Sequence, residues 1–237
     1  MGAQLSAHLE MANKTGVFTL QDKGILKVPP EVERLQAKLR TIDVSGNRLT
    51  ALPDFLGGFT VLRQVTLDRN RFAEFPICLT KMPRLEVLSI ESCGLKVLPE
   101  AIGDCPSLKR LVLDGNALAS LPATIGKLVK LEALSVVGNQ LTALPDEIGD
   151  LTISELNVSR NQLASLPASL ARNQSLKIIK ADENCLEDGS IPLVVFGDSS
   201  ICSVTLEGNP FNSKKIRETP EYERYMKRVT QTQIKKM

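Results

Sequence analysis

Asparagine recurs at an almost constant interval through most of this 237-residue chain. A cysteine replaces it once, and the eight positions are Asn47, Asn70, Cys93, Asn116, Asn139, Asn161, Asn184 and Asn209. A fixed period of about 20 to 50 residues is typical of solenoids, in which each unit contacts only its neighbours. The spacing therefore predicts a solenoid of stacked units, and it favours a binding surface over an active site.

The residues around each asparagine also repeat. In the unit that contains Asn116, leucines occupy fixed positions on both sides of it, namely Leu108, Leu111, Leu113, Leu118 and Leu121. This spacing is the L-x-x-L-x-L-x-x-N/C-x-L pattern of leucine-rich repeats. Eight units match the pattern, and a degenerate ninth unit, with Lys23 in the asparagine position, precedes them.

Each position of the unit has a physical reason. The L-x-L core alternates with period two, which indicates a short strand with one buried face. Stacked asparagine amides can both donate to and accept from the backbone of successive turns, so they form a ladder of hydrogen bonds with one rung per unit. Cys93 has only a weak thiol donor, so its rung should be weaker. Leu-Pro pairs such as Leu121-Pro122 interrupt regular structure because proline lacks an N–H. We therefore predict an α/β solenoid, a right-handed leucine-rich-repeat horseshoe of about nine 23-residue units, with a parallel concave sheet and capped ends.

The two ends of the array should carry caps, because a terminal unit would otherwise expose its core. We expect a cap helix in residues 1–16, repeats in residues 17–211, and a C-terminal cap helix with a basic tail in residues 212–237. The C-terminal helix should begin at Thr219-Pro220 and pack one face against the last unit. That face consists of Tyr222, Tyr225, Met226 and Val229, and its expected neighbours are Val204, Leu206 and Phe211. The tail cations either complement the helix dipole or contact lipid or a partner; they are Lys227, Arg228, Lys235 and Lys236.

The first six residues match the N-myristoylation pattern M-G-x-x-x-[ST]. Gly2 would be acylated after removal of Met1, and Ser6 stands at the required position. The alternative is a chance match, since glycine and serine are common residues. A single myristoyl chain gives only marginal, reversible membrane binding. The pattern thus predicts a protein on the cytoplasmic face of a membrane, held by a lipid anchor, with a cytosolic pool.

Few residues could support catalysis. His8 is the only histidine, which argues against Ser-His-Asp and Cys-His pairs. There is no glycine-rich phosphate-binding loop, and carboxylates on an open repeat face should keep an ordinary pKa. The five cysteines lack metal-binding spacing, and a net charge of +2 does not suggest nucleic-acid binding. We expect a monomer without enzyme activity, cofactor, metal, nucleic acid or small-molecule substrate.

The sequence also favours an intracellular protein. No secretory apolar segment opens the chain, and the longest apolar run, residues 191–196, is too short to span a bilayer. The cysteines are scattered and odd in number, which favours a reducing compartment.

The strand residues that point away from the core should line the concave face. They lie one, two, four and six residues before each asparagine position, and we expect a protein partner to contact them. The candidate contact residues are Asp43, Gln64, Thr66, Asp68, Arg69, Ser89, Glu91, Arg110, Asp114, Ser135, Asn157, Arg160, Lys180 and Asp182. Asp68, Glu91 and Asp114 occupy the same position in three consecutive units and form an acidic stripe, which Arg69 and Arg110 should partly offset. The stripe is either a solvated polar face or a docking site for a basic or hydroxyl-rich segment.

The units carry an L-P-x-x-I-G segment, as in residues 121–126 and 144–149. In this they resemble the intracellular leucine-rich repeats of the Ras-suppressor and Scribble type. Met1-Gly2, residues 14–18 and residues 221–228 resemble segments of small intracellular members of the leucine-rich-repeat family. The resemblance implies a stand-alone solenoid, lipid-anchored through Gly2 and without catalytic activity.

Two functions fit these observations. The first is a non-catalytic interaction scaffold or adaptor, anchored to a membrane by N-myristoylation at Gly2. The second is a soluble regulatory subunit of a phosphatase or small-GTPase pathway without a lipid. Both would use the same concave surface, so the fold does not choose between them. A secreted receptor is disfavoured by the missing signal and the absence of cysteine-rich caps.

Overall fold

Nine short strands form one continuous parallel sheet. The computed structural model describes residues 2–212 and 214–234. In that part of the chain the strands pair with their sequence neighbours in the order β1 to β9. Their bounds are β1 Val17–Thr19, β2 Thr41–Asp43, β3 Gln64–Thr66, β4 Val87–Ser89, β5 Arg110–Val112, β6 Ala133–Ser135, β7 Glu155–Asn157, β8 Ile178–Lys180 and β9 Ser203–Thr205. The sheet confirms the predicted horseshoe solenoid with about nine parallel strands.

The register of the strands follows the asparagine positions. Phe18 of β1 pairs with Ile42 of β2, which lies five residues before Asn47. Phe18 therefore occupies the equivalent position of a unit whose asparagine is replaced by Lys23. The degenerate first unit is confirmed as a full member of the sheet.

The inward face of the sheet forms an aliphatic core. Leu111 and Leu113 of one unit and Leu134 and Val136 of the next are at most 2% exposed. The pleat sends alternate side chains to opposite faces, so the L-x-L pattern buries its leucines and leaves the residue between them facing outward. The period-two pattern therefore predicted the buried face correctly, and stacked neighbouring units cover that face.

Short 3-10 helices close the convex side. The seven helices belong to the first to seventh units, and each directly follows a proline or begins with one, whose fixed φ suits the first residues of a helical turn. The sequence predicted only an interruption here, so the helices are a finding of the structure. Ile125 and Leu128 from this side are buried and close the core of their unit. The 3-10 helices span Pro30–Leu35, Asp54–Gly58, Ile77–Lys81, Glu100–Asp104, Ala123–Lys127, Asp146–Asp150 and Ala168–Arg172.

The asparagine ladder is confirmed in detail. The Nδ2 of Asn116 donates to the carbonyl of Leu113 in its own unit at 2.9 Å and to that of Ile90 in the preceding unit at 2.7 Å. Its Oδ1 accepts from the N–H groups of Cys93 and Leu95, both at 3.1 Å. Comparable bonds recur at Asn47, Asn70, Asn139, Asn161, Asn184 and Asn209.

The rung at Cys93 has fewer strong bonds. Its Sγ lies 3.3 Å from the carbonyl oxygens of Leu67 and Glu91 and replaces an amide with a weak thiol donor. Burial raises the pKa of this thiol to about 11, so it stays protonated and can donate. A thiol supplies no amide oxygen for the preceding unit, which is the physical basis for expecting a weaker rung.

Helix α1 (Gly2–Thr15) lies against the first unit. Ala12 is fully buried, and Leu5 and Leu9 pack partly buried against the core. The helix ends at Gly16, which has φ +75° and donates its N–H to the carbonyl of Ala12 at 2.8 Å. A positive φ is the conformation that glycine adopts most readily.

The last two units are less regular than the others. Helix α2 (Leu193–Gly197) replaces the 3-10 helix of its unit, and α3 (Lys214–Arg217) and α4 (Pro220–Ile234) follow β9. The hydroxyl oxygen of Thr219 accepts the N–H of Tyr222 at 3.3 Å, which makes Thr219 the N-cap of α4. Phe196 of α2 packs against Tyr222 and Tyr225, with ring centroids 5.8 and 5.4 Å away.

Two expectations for α4 need correction. Met226 was assigned to the packing face but is 41% exposed, so it lies on the outer side of the helix. The main neighbour of α4 is α2 rather than the sheet, although the Tyr225 hydroxyl accepts the N–H of Val204 at 3.0 Å. Met1, Lys235 and Lys236 lie outside the described residues.

Candidate interaction surface

The candidate contact residues occupy four parallel rows on the concave side. Among the described side chains, Ser89 is buried and the others are half-buried or exposed. Gln64 and Arg110 are six residues before their asparagine positions, and Arg69 and Arg160 are immediately before theirs. The residues four positions before an asparagine position are Asp43, Thr66, Ser89, Ser135, Asn157 and Lys180. The residues two positions before one are Asp68, Glu91, Asp114 and Asp182.

Three aspartates in the row two residues before the asparagine position accept hydrogen bonds from the next unit. The carboxylate of Asp114 accepts the hydroxyl of Ser135 at 3.0 Å and the N–H of Val137 at 2.9 Å. The same pair of bonds joins Asp68 to Ser89 and Glu91, and Asp182 to Thr205 and Glu207. We call these three residues the aspartate ladder. Sequence reasoning missed this structural role.

A signal for the aspartate ladder is present in the sequence. Each of its aspartates is followed in the next unit by a serine or threonine four residues before the asparagine position. Ser45, Val137 and Ser159 carry no carboxylate at this position, and Glu91 is followed in the next unit by Val112, which carries no hydroxyl. An acidic residue paired with a hydroxyl one unit later therefore marks a bond between units.

Glu91 lies between the two aspartates of the acidic stripe. Burial, and then the neighbouring charge of Asp68, raise the pKa of the Glu91 carboxyl above its ordinary value. Its Oε1 accepts the hydroxyl of Ser89 at 3.2 Å, and Arg110 partly opposes the shift. The expectation that carboxylates on this face keep an ordinary pKa is therefore wrong for Glu91, because this side chain is partly buried.

Three cations of the concave face pair with acidic residues outside the stripe. Arg69 was expected to offset the stripe, but its guanidinium lies 3.9 Å from Asp22 of the first unit. Lys180 pairs with Glu155 at 2.7 Å, and Arg160 pairs with Glu183 at 3.0 Å. All of these pairs are substantially exposed, so each contributes little to stability. Arg110 is the cation that acts on the stripe, since it partly opposes the rise in the pKa of Glu91.

A shallow depression of about 210 Å³ lies beside the stripe. It brings together three of the candidate residues, Arg110, Ser135 and Asn157, over a floor of Val112 and Ala133. Glu155 closes the side opposite Arg110. Sequence reasoning did not select Glu155, although it stands six residues before Asn161, at one of the positions that line this face. The depression can hold a small side chain between groups of opposite charge.

Two of the C-terminal cations, Arg228 and Lys227, have partners within the described residues. The guanidinium of Arg228 donates to the carbonyl of Ile201 at 3.0 Å, to that of Gly197 at 3.1 Å and also to that of Phe196. It therefore joins α4 to the end of α2, a structural role that neither of the two expectations for the tail cations included. Lys227 pairs with Glu223 of the same helix at 2.9 Å.

Across residues 2–212 and 214–234, no group of three metal-ligating side chains comes together. No helix in that same part of the chain has the length and apolar character needed to cross a bilayer. Gly2, the predicted acylation site, is the first residue of α1.

The chain is similar to known leucine-rich-repeat sequences. A family model described as Leucine rich repeat matches residues 83–141, and a second model of the same description matches residues 38–59. Both segments lie within the regular part of the sheet.

Solved repeat structures superpose on most of the chain. The Leptospira interrogans protein LIC12759 matches with a TM-score of 0.79 at 27% identity, over 86% of this chain and 52% of that one. The plant peptide hormone receptor RGFR1, solved in complex with RGF2, matches with a TM-score of 0.68 at 26% identity, over 81% and 31%. Internalin C2 from Listeria monocytogenes has the same fold, with a TM-score of 0.69 at 18% identity, over 81% and 80%. The chain thus spans about half the length of the Leptospira protein and a third of the plant receptor.

Proposed function

Because this chain is a leucine-rich-repeat protein, we propose that it is a non-catalytic interaction scaffold whose protein partner docks on the concave face. Repeat proteins of this kind are generally interaction modules rather than enzymes. The observation that carries the proposal is the acidic stripe, Asp68, Glu91 and Asp114, in which three carboxylates occupy the same row in three neighbouring units. A raised pKa at Glu91 fits a group whose water has been partly removed before a partner arrives.

The chemistry of the stripe favours a basic segment as the partner. Like charges in register on adjacent strands repel each other, and a bound lysine or arginine would relieve that repulsion. The neighbouring depression, between Arg110 and Glu155, would accept a small or hydroxyl-bearing side chain next to the basic one. RGFR1 binds the peptide hormone RGF2, so a related fold can present a surface to a peptide.

The first experiment removes charge while keeping hydrogen-bonding capacity. In the triple variant Asp68→Asn, Glu91→Asn and Asp114→Asn, each amide still offers an oxygen acceptor, and the serine hydroxyls can rotate to accept from the amide nitrogen. A control variant removes three exposed carboxylates elsewhere, through Glu74→Gln, Asp104→Asn and Glu187→Gln. Proteins that co-purify with the wild type are then compared between the two variants by quantitative mass spectrometry.

We expect the stripe variant to lose partners that the control variant retains. Binding of those partners to the wild type should also weaken as salt rises, because exposed charges are screened. If both variants retain the same partners, the stripe is only a solvated polar face.

We further propose that Gly2 is myristoylated and places the scaffold on the cytoplasmic face of a membrane, with a cytosolic pool. The match of residues 1–6 to the acylation pattern supports this. Intact mass of the protein from a eukaryotic cell should show the added acyl group, and Gly2→Ala should move the protein to the soluble fraction. An unmodified Gly2 would favour the alternative, a soluble regulatory subunit of a phosphatase or small-GTPase pathway.

A further inference from the structure

The residues that directly precede the strands form a continuous row along one side of the solenoid. The N–H of Arg63 donates to the carbonyl of Arg40 at 2.8 Å, that of Glu86 to Arg63 at 2.7 Å, and that of Lys109 to Glu86 at 2.8 Å. The row continues when Glu132 donates to Lys109 at 2.7 Å. This side is the edge at which every strand enters the sheet, opposite to the edge that carries the asparagine turns.

The strand-entry side is strongly basic in the second to sixth units. From three residues before each strand to its first residue, these units contain seven cations and two acidic residues. We call the cations the basic edge: Lys38, Arg40, Arg63, Arg84, Lys109, Arg110 and Lys130. The equivalent positions of the seventh to ninth units hold only Lys177 and Glu155, so the basic charge is confined to one part of the array.

Part of the basic edge is already neutralised. Glu86 pairs with Lys109 at 3.0 Å and also with Arg63, and these two cations lower the pKa of its carboxyl, Lys109 more strongly. Within the described residues, Arg40, Arg84 and Lys130 are exposed and have no ion pair. These three cations point into solvent along about 20 Å of the edge, at about 4.8 Å per unit.

The basic edge reaches the helix that carries Gly2. The Nζ of Lys38 donates to the Oδ1 of Asn13 in α1 at 2.8 Å, and the N–H of Arg40 donates to the carbonyl of Gly16 at 2.7 Å. The first cations of the basic edge therefore contact the C-terminal end of the helix that begins at Gly2. The C-terminal tail, by contrast, starts at the far end of nine strands.

We propose that the basic edge is a surface that binds anionic lipid headgroups and orients the scaffold on its side at a membrane. This inference rests on the proposed function, because it supplies the second signal that a single myristoyl chain needs for stable anchoring. Dispersed, exposed cations without a pocket suit many mobile headgroups better than one fixed acidic peptide. In this orientation the sheet stands beside the membrane, and the concave face stays open to its partner.

The test compares two matched variants of the full chain. The edge variant carries Arg40→Gln, Arg84→Gln and Lys130→Gln. The control variant carries Arg48→Gln, Arg71→Gln and Lys96→Gln, which removes three exposed cations from the strand-exit side, where the described residues show no ion pair for them. Flotation is measured with neutral phosphatidylcholine vesicles and with vesicles that contain about one third phosphatidylserine.

The acylated wild type should bind the anionic vesicles more strongly than the neutral ones. Each basic residue near an anionic surface strengthens binding about fivefold, so the edge variant should bind them on the order of 100-fold more weakly, and the control variant much less so. Equal losses in both variants would indicate a general effect of net charge and overturn the proposal, as would no loss in either.

Two further measurements separate lipid binding by the basic edge from myristoylation at Gly2 and from binding of an acidic protein. The unacylated wild type should still prefer anionic vesicles, which tests the edge independently of myristoylation at Gly2. A polyglutamate peptide should bind the unacylated protein more weakly than the anionic vesicles do; tighter binding of the peptide would identify an acidic protein as the ligand and overturn the lipid assignment.

Partner binding by the acidic stripe should be unchanged in the edge variant, so failure of one proposal does not imply failure of the other.

Discussion

Two ladders of polar side chains connect the units of this solenoid, and they differ in burial and charge. The asparagine ladder is neutral, and Asn116 and Asn139 are at most 8% exposed. The aspartate ladder is charged and lies half-buried on the concave surface, where Asp114 also bonds the next unit. A buried ladder can only support the fold, since no partner reaches it. A surface ladder can support the fold and still present its charge.

The largest effect should come from the core beneath both ladders. Leu134 is 2% exposed, and its side chain fills the space between two units. We expect Leu134→Ala to lower the free energy of unfolding by about 2–5 kcal/mol, through lost burial and a remaining cavity. Denaturant unfolding measures this change. If Leu134→Ala lowers the free energy of unfolding by less than the substitutions in the two ladders do, the polar ladders contribute more to stability than the leucines.

The buried ladder should come next. Asn139→Ala removes an amide that donates to Leu113 and Val136 and accepts from Leu118. Unpaired buried backbone groups should then lower the free energy of unfolding by about 1–3 kcal/mol. Unfolding indistinguishable from the wild type would refute the structural role of the asparagine ladder.

The surface ladder should contribute less. Asp114→Ala frees the N–H of Val137 and the hydroxyl of Ser135, but both positions are half-buried and water can reach them. We expect a loss of about 1 kcal/mol for the alanine variant and a smaller loss for Asp114→Asn, which keeps an acceptor. Thermal unfolding of the two variants side by side tests the order. If both lose as much as Asn139→Ala, the two ladders are equivalent.

The smallest effect should be a pH-dependent gain at Glu91. Its pKa is raised from 4.5, so the folded state disfavours the ionised carboxyl, and folding is penalised above that pH. Glu91→Gln should therefore stabilise the protein at pH 7, by less than about 1 kcal/mol. The gain should vanish as the pH falls below about 4.5, because the wild-type carboxyl is then protonated in both states. A gain that is equal at pH 7 and pH 4 would show that it does not come from ionisation.

The regular part of the fold could be predicted because every unit repeats the same physical problem. Positions such as Leu111 and Asn116 recur in phase, so one unit identifies the others. The prediction was weaker where the period is broken, as in the 25-residue step between Asn184 and Asn209. There α2 replaces a 3-10 helix and provides the carbonyls that Arg228 binds, and periodicity contains no information about that contact.

The candidate surface could be located from the sequence, but the state of its side chains could not. Counting from the asparagines placed Asp68 and Glu91 in the same row, which the strand register supports. It did not reveal that Arg69 turns toward Asp22, because that depends on a backbone with φ +53°. The raised pKa of Glu91 likewise arises from packing between strands rather than from residue type.

In the acidic stripe we assign the hydrogen bonds of Asp68 and Asp114 to the fold and the charge of all three carboxylates to a partner. The most direct measurement combines denaturant unfolding and partner binding on one preparation of the triple variant Asp68→Asn, Glu91→Asn and Asp114→Asn. The account predicts a free energy of unfolding within about 1 kcal/mol of the wild type, together with loss of the salt-sensitive partners. A loss of stability as large as that of Asn139→Ala, with the partners still bound, would contradict it.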